Sequence, residues 1–226
     1  MSHQNFVKEL SRLDSSKTVT EKFRDFCELA YCAYAKLTAI NEEQANALEN
    51  RYMQIVSTYP DKDTIRAYPA LLAQACIAVN QGEDFLGHVA AEIGALDVRA
   101  GQFFTPLHVC QLMAEIGLVE AGSLIMNQGF ITFNEPTAGA GAMILAAAHV
   151  LERQGFDPAF HMLVKAQDIS QLCFHMCFLQ LTFKGIPALV ERANTLSMEV
   201  FEQAWTSASL AFFKKHRNTS PQKVFY

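Results

Sequence analysis

The sequence predicts an α/β fold, a parallel three-layer sheet preceded by an all-helical N-terminal subdomain, and three observations predict it. Short apolar runs at 130–133, 161–167 and 187–192 each lead into a longer segment with helical spacing. That is the β, α, β, α order of parallel strands joined by crossover helices. A polar group ends each run, Glu135, Asp168 and Asn194 in turn. Residues 1–99, by contrast, carry only helical periodicity and no strand signal. The expected division is therefore a helical part, 1–99, and an α/β part, 100–226.

The elements follow in order. Residues 19–40 set Phe23, Phe26, Cys27, Ala30, Tyr34 and Leu37 at three-and-four spacing, one apolar face of a helix with Thr20 as its expected cap. Asn41 opens a second helix over 41–59, with Gln44 three residues on in the capping-box position. Pro60 ends it. Pro69 is read as a fresh start for 70–79, and Gln81 with Gly82 as its stop. Residues 83–96 turn Phe85, Leu86, Val89 and Ile93 one way. Pro106 biases Thr105 away from helix and opens a helix over 107–118. Ser170 caps a helix to Phe183 that Lys184 and Gly185 close. Residues 198–215, with Trp205 on one face, are read as a last helix.

Composition narrows the function classes. With 50% hydrophobic and 18% charged residues, the chain is a packed globular one rather than a disordered one. No apolar run reaches bilayer length, so no membrane partner is expected. A net charge of −5 suits a stand-alone nucleic-acid binder poorly. One stretch departs from this: no acid follows Glu202, while Lys214, Lys215, Arg217 and Lys223 do, which reads as a solvated helix end. The six cysteines form no Cys-x-x-Cys, and His175 does not share the face of Cys173 and Cys177. No metal site is expected, and the thiols read as reduced ones of a cytoplasmic protein.

The chemistry collects at Glu135-Pro-Thr-Ala-Gly-Ala-Gly-Ala-Met143, between the first strand and an Ala-rich helix over 142–151. Its glycines allow a sharp turn and close approach to a ligand, and the helix start beyond offers free N–H groups. An acid ending the second strand, Asp168, stands where ribose hydroxyls are bound in such sheets. Asn194, at the third strand end, can bond an adenine edge. Gly-x-Gly-x-x-Gly is not completed, because Ile144 holds the last position, and no phosphate-loop Gly-Lys-Ser/Thr occurs. An adenosyl cofactor with little or no phosphate fits better, and S-adenosylmethionine is the expected one.

On these residues the chain resembles the adenine-N6 DNA methyltransferases of the type I restriction-modification group. Glu135-Pro-Thr-Ala-Gly-Ala-Gly-Ala-Met143 is similar to that family's Asp-Pro-Ala-Cys-Gly-Ser-Gly-Gly-Phe cofactor loop. Gly101-Gln-Phe-Phe-Thr-Pro106 matches the family's motif at the cofactor's methionine end. Asp168 resembles the ribose-binding acid. Gly185-Ile186 and Asn194-Thr-Leu196 resemble later pieces, with Asn194 in place of the family's Asp. The resemblance covers 84–196 and implies a Rossmann-like methyltransferase sheet, here in truncated form. It also implies S-adenosylmethionine bound by Phe104, Thr105, Pro106, Glu135, Thr137, Gly139, Gly141, Asp168, Ile169 and Asn194. The family's Asn-Pro-Pro-Tyr/Phe motif, which holds a flipped adenine, has no counterpart, since no Pro-Pro occurs in the sequence. Asn218-Thr-Ser-Pro221 lies at a plausible distance but follows a basic stretch rather than an apolar strand. Catalytic residues are therefore unassigned. Two readings stand: an adenine-N6 DNA methyltransferase-like protein that binds S-adenosylmethionine, or a non-catalytic relative that pairs with or mimics a methylase subunit. DNA, another methyltransferase or specificity subunit, and a further copy of the chain are the partners in view.

Overall fold

The computed structural model describes residues 3–96 and 104–217. Seven described helices precede the first strand: α1 (His3–Arg12), α2 (Val19–Ala35), α3 (Glu42–Ser57), α4 (Asp63–Asn80), α5 (Phe85–Glu92), α6 (Leu107–Gly117) and α7 (Ala121–Gln128). A 3-10 turn (Lys36–Thr38) follows α2. Then come β1 (Ile131–Glu135), α8 (Ala142–Arg153), α9 (Pro158–His161), β2 (Met162–Asp168), α10 (Gln171–Lys184), β3 (Ala188–Asn194), β4 (Glu199–Trp205) and α11 (Ala208–Lys215).

Local chemistry explains most boundaries. Thr18, not Thr20, caps α2: its hydroxyl accepts from Glu21 N at 3.2 Å while Glu21 Oε2 accepts from Thr18 N at 2.8 Å. That reciprocal pair needs a carboxylate three residues on, which Thr18 has and Thr20 lacks. Asn41 Oδ1 caps α3 by accepting from Gln44 N at 2.8 Å, as expected. Pro69 does not start a helix but lies within α4. It sits on the exposed face of the helix, while Tyr68 and Leu71 beside it are buried. Gly185, with φ of 72°, closes α10 in the left-handed conformation.

The expected final helix over 198–215 is corrected. Its first half is β4, which turns back from β3 through Met198 (φ 61°) and pairs antiparallel, with Leu189 opposite Trp205 and Arg192 opposite Glu202. Val200, Phe201, Ala204 and Trp205 satisfy helical spacing and strand composition alike, and the unfilled edge of β3 decides between them. The sheet is thus not wholly parallel. Its order is β1-β2-β3-β4, with β1, β2 and β3 parallel and β4 reversed.

Stepping in one direction twice, the right-handed crossovers put α8 and α10 on one face of the sheet. α10 lies next to β2 and β3 on one side and to α2, α4 and α5 on the other. Every residue from Leu172 to Leu181 is buried, the pattern of a helix with no solvent face. The layers are therefore sheet, α8 with α10, and the N-terminal helices. On the opposite face, Phe213 of α11 packs edge-on against Trp205, and Lys165 lies 3.5 Å from the fully buried Glu191. Among the described residues no single helix is long and apolar enough to cross a membrane.

Candidate functional site

The parallel register brings the carboxyl ends of β1 and β2 together, with Glu135 beside Ala166 and Asp168 two residues beyond. The loop from Pro136 to Gly141 folds back over β2. Ala138 N donates to Gln167 O at 2.8 Å, and Gly139 N donates to Asp168 Oδ2 at 2.9 Å. Both glycines of the loop take positive φ, 55° at Gly139 and 101° at Gly141, which side chains disfavour. A Cβ on Gly139 would also come within 3.1 Å of the Phe104 ring. Gly141 instead faces the core, where a Cβ would meet Cys177 Sγ at 3.4 Å. Thr195 Oγ1 donates to Pro136 O at 2.7 Å and ties the end of β3 to the same loop.

Above this junction is a cavity of about 460 Å³, within the range of small-molecule sites. Its floor is Thr137, Ala138, Gly139 and Ala140; its acidic groups are Asp84, Glu135 and Asp168; Phe104, Met113 and Ile169 supply apolar surface. Asp168 spans the floor, because Oδ1 accepts from Ser170 N at 2.8 Å while Oδ2 holds Gly139. Burial pushes its carboxyl above the ordinary carboxylate value, and the bonds from Ser170 and Gly139 act against that rise.

Of the residues singled out in the sequence, Phe104, Thr105, Glu135, Thr137, Gly139, Asp168 and Ile169 line this cavity. Pro106, Gly141 and Asn194 do not. Pro106 is the residue before α6, and Gly141 is the residue before α8, turned to the core. Asn194 spends its Oδ1 on its own turn, accepting from Leu196 N at 3.0 Å and Ser197 N at 3.3 Å. Gly101, Gln102 and Phe103 of the sequence motif, and Asn218-Thr-Ser-Pro221 with Lys223, lie outside the described residues.

Asp84 was missed by sequence reasoning. It sits just before α5, yet its carboxylate is buried and reaches the cavity. Gln180 of α10 holds it there: Nε2 donates to Asp84 Oδ1 and to Ala140 O, both at 2.8 Å, and Oε1 accepts from Leu86 N at 3.1 Å. Burial raises the Asp84 carboxyl above its ordinary value. Cys110 and Cys173 also line the cavity, and burial pushes the Cys173 thiol up to about 12, so it stays protonated and unreactive at neutral pH.

The N-6 DNA methylase family model matches residues 82–212, more than half of the chain. The chain belongs to the N-6 DNA methylase family. The match starts two residues before Asp84 and runs through β4 into α11, so the N-6 methylase segment takes in every described residue that lines the cavity. No curated protein matches the chain. Among solved structures, a protein from Listeria monocytogenes described as a class I S-adenosylmethionine-dependent methyltransferase is similar, with 11% identity and a TM-score of 0.45. The similarity covers 82% of this chain and 51% of that one, so the chain spans about half its length.

Proposed function

We propose that this N-6 methylase family member binds S-adenosylmethionine in the cavity above the β1–α8 loop, and that it does not transfer the methyl group by itself. The observation that carries the reading is the junction of Gly139, Asp168 and Phe104. A glycine backbone, an acid and an aromatic ring converge on one cavity of suitable size. The residues present fit the donor. Asp168 keeps lone pairs for ribose hydroxyls beyond the two N–H groups it already holds. Ile169, largely exposed at the rim, offers an apolar face to a purine. Asp84 and Glu135 make the other end of the cavity negative, which suits an α-ammonium. The donor, when bound, supplies a methyl group activated by a sulfonium.

The second half of the proposal rests on the acceptor side. The sequence has no Pro-Pro, and among the described residues that line the cavity Phe104 is the only aromatic one. Holding an adenine amino group against the donor, which is a matter of positioning, then falls to another chain, a methylase or specificity subunit that also contacts DNA. The net charge of −5 agrees with DNA contact through such a partner. The buried free thiols suit a reducing, cytoplasmic setting.

Calorimetry with S-adenosylmethionine tests the first half. Saturable binding is expected, weakened roughly 10–100-fold in Asp168→Ala by loss of hydrogen bonds to a charged group. Absent binding, or binding untouched by that change, removes the assignment. Incorporation of labelled methyl into adenine-containing duplex DNA by the chain alone would overturn the second half.

A further inference from the structure

The sheet ends at β4, and that edge borders a second concavity whose lining shares no residue with the cavity above the loop of Gly139. A groove of about 530 Å³ runs between α3 and β4. Gln44, Ala47, Leu48 and Arg51 form one wall, at the i, i+3, i+4 and i+7 positions of a single helical face. Residues 200–203 of β4 form the other, with Val200 and Phe201 each 43% exposed.

The backbone of β4 faces this groove with bonding groups to spare. Thr206 N donates inward to Ala188 O at 2.9 Å, so the Trp205 carbonyl points outward, where Thr38 Oγ1 donates to it at 2.7 Å. By the two-residue repeat of a strand, Gln203 turns both its N–H and its C=O to that same outer edge. Among the described residues β4 pairs with β3 alone, and no backbone bond reaches Gln203 from the outer side.

We propose that this groove binds an extended, uncharged segment of a partner protein, with small apolar side chains at alternate positions, which adds to β4 as a fifth strand. Three observations select that occupant. The main-chain groups of Gln203 are met by a strand and not by a helix. The charges that line the groove already face each other, since Arg51 bonds Glu28, Glu202 (2.8 Å) and His175 Nε2 (2.9 Å). A charged side chain would find no counterpart there, whereas Leu48, Val200 and Phe201 offer apolar surface. Finally, α3 stands as a wall beside the edge. A second copy's sheet edge would bring its own α3 against this wall, whereas a single extended chain brings none. The Thr38 bond to Trp205 marks where the added strand stops.

Fluorescence anisotropy with a labelled Thr-Val-Thr-Val-Thr-Val amide tests the proposal on the full chain. Saturable binding is expected, weakened roughly tenfold when alternate peptide nitrogens are methylated, because the bonds to Gln203 are then lost. Ala47→Trp fills the groove from an exposed helix position; it should weaken peptide binding to a similar extent while leaving the melting curve and S-adenosylmethionine binding unchanged. The proposal is overturned if the hexapeptide fails to bind, or if neither methylation nor Ala47→Trp matters. It is equally overturned if sedimentation finds a dimer that Ala47→Trp dissolves, since a second copy would then be the occupant.

Discussion

Asp84 keeps a carboxylate only 4% exposed, with one neutral amide as its side-chain partner. Because burial raises its folded-state pKa above the unfolded value, its contribution to stability is complete below the ordinary value of 3.8 and is lost as pH rises through the folded value. Asp84→Asn keeps an acceptor for Gln180 and removes the buried charge. The variant should melt a few degrees above the wild type at pH 7.5, with the gap closing as pH falls toward 3.8. Thermal melts across that range check it, and a gap that stays constant with pH would show that folding does not shift the Asp84 carboxyl. The residues the sequence revealed at this scale are those at strand ends. Glu135, Gly139 and Asp168 announce themselves because a turn and an acid after an apolar run have few other uses. Asp84, just before α5, Cys110 and Met113 of α6, and Cys173 of α10 are brought to one cavity only in the folded chain, so no local pattern marks them. Asn194 shows the converse. Expected to bond an adenine edge, it gives its side-chain oxygen to an Asx turn of its own.

At the scale of elements, one guanidinium fastens β4 to the helical layer beside the Thr38 bond to Trp205. Arg51 of α3 donates to Glu28 of α2, to Glu202 of β4 and to His175 of α10. The histidine accepts that bond, so it must be the neutral tautomer, and burial with the nearby Arg51 and Arg192 holds its pKa well below the usual range. Arg51→Met removes the three bonds and leaves two carboxylates facing each other. A loss of about 2–4 kcal/mol in urea unfolding is expected, and a change under about 0.5 kcal/mol would mean the cluster is incidental. None of this was legible beforehand, because 199–205 satisfies two periodicities and only its pairing with β3 separates them. Capped elements were more transparent. The start of α3 at Asn41 and the close of α10 at Gly185 follow from single residues with one dominant use.

For the whole molecule, α10 removes any clean seam between the helical part and the sheet. It packs on β2 and β3 and is roofed by α2, α4 and α5, so stripping the roof would expose an apolar face as long as the helix. Trp205, the sole tryptophan, reports on the sheet, while circular dichroism at 222 nm reports mainly on helices. The two signals should fall in one coincident transition; separate midpoints would mean two independently stable units. Residues 172–183 are apolar except for His175, Gln180 and Thr182, but which helices cover α10 depends on contacts between residues far apart in the chain. Gln180, midway along that helix, gives the arrangement a further property. Its amide group touches the Ala140 carbonyl in the loop, the Asp84 carboxylate and the Leu86 N–H at once. A ligand that shifts the loop by a fraction of an ångström therefore alters the protection of a backbone proton at the start of α5. The helical half of the chain carries its own indicator of whether the cavity is filled, readable in the rate at which one amide trades hydrogen with water.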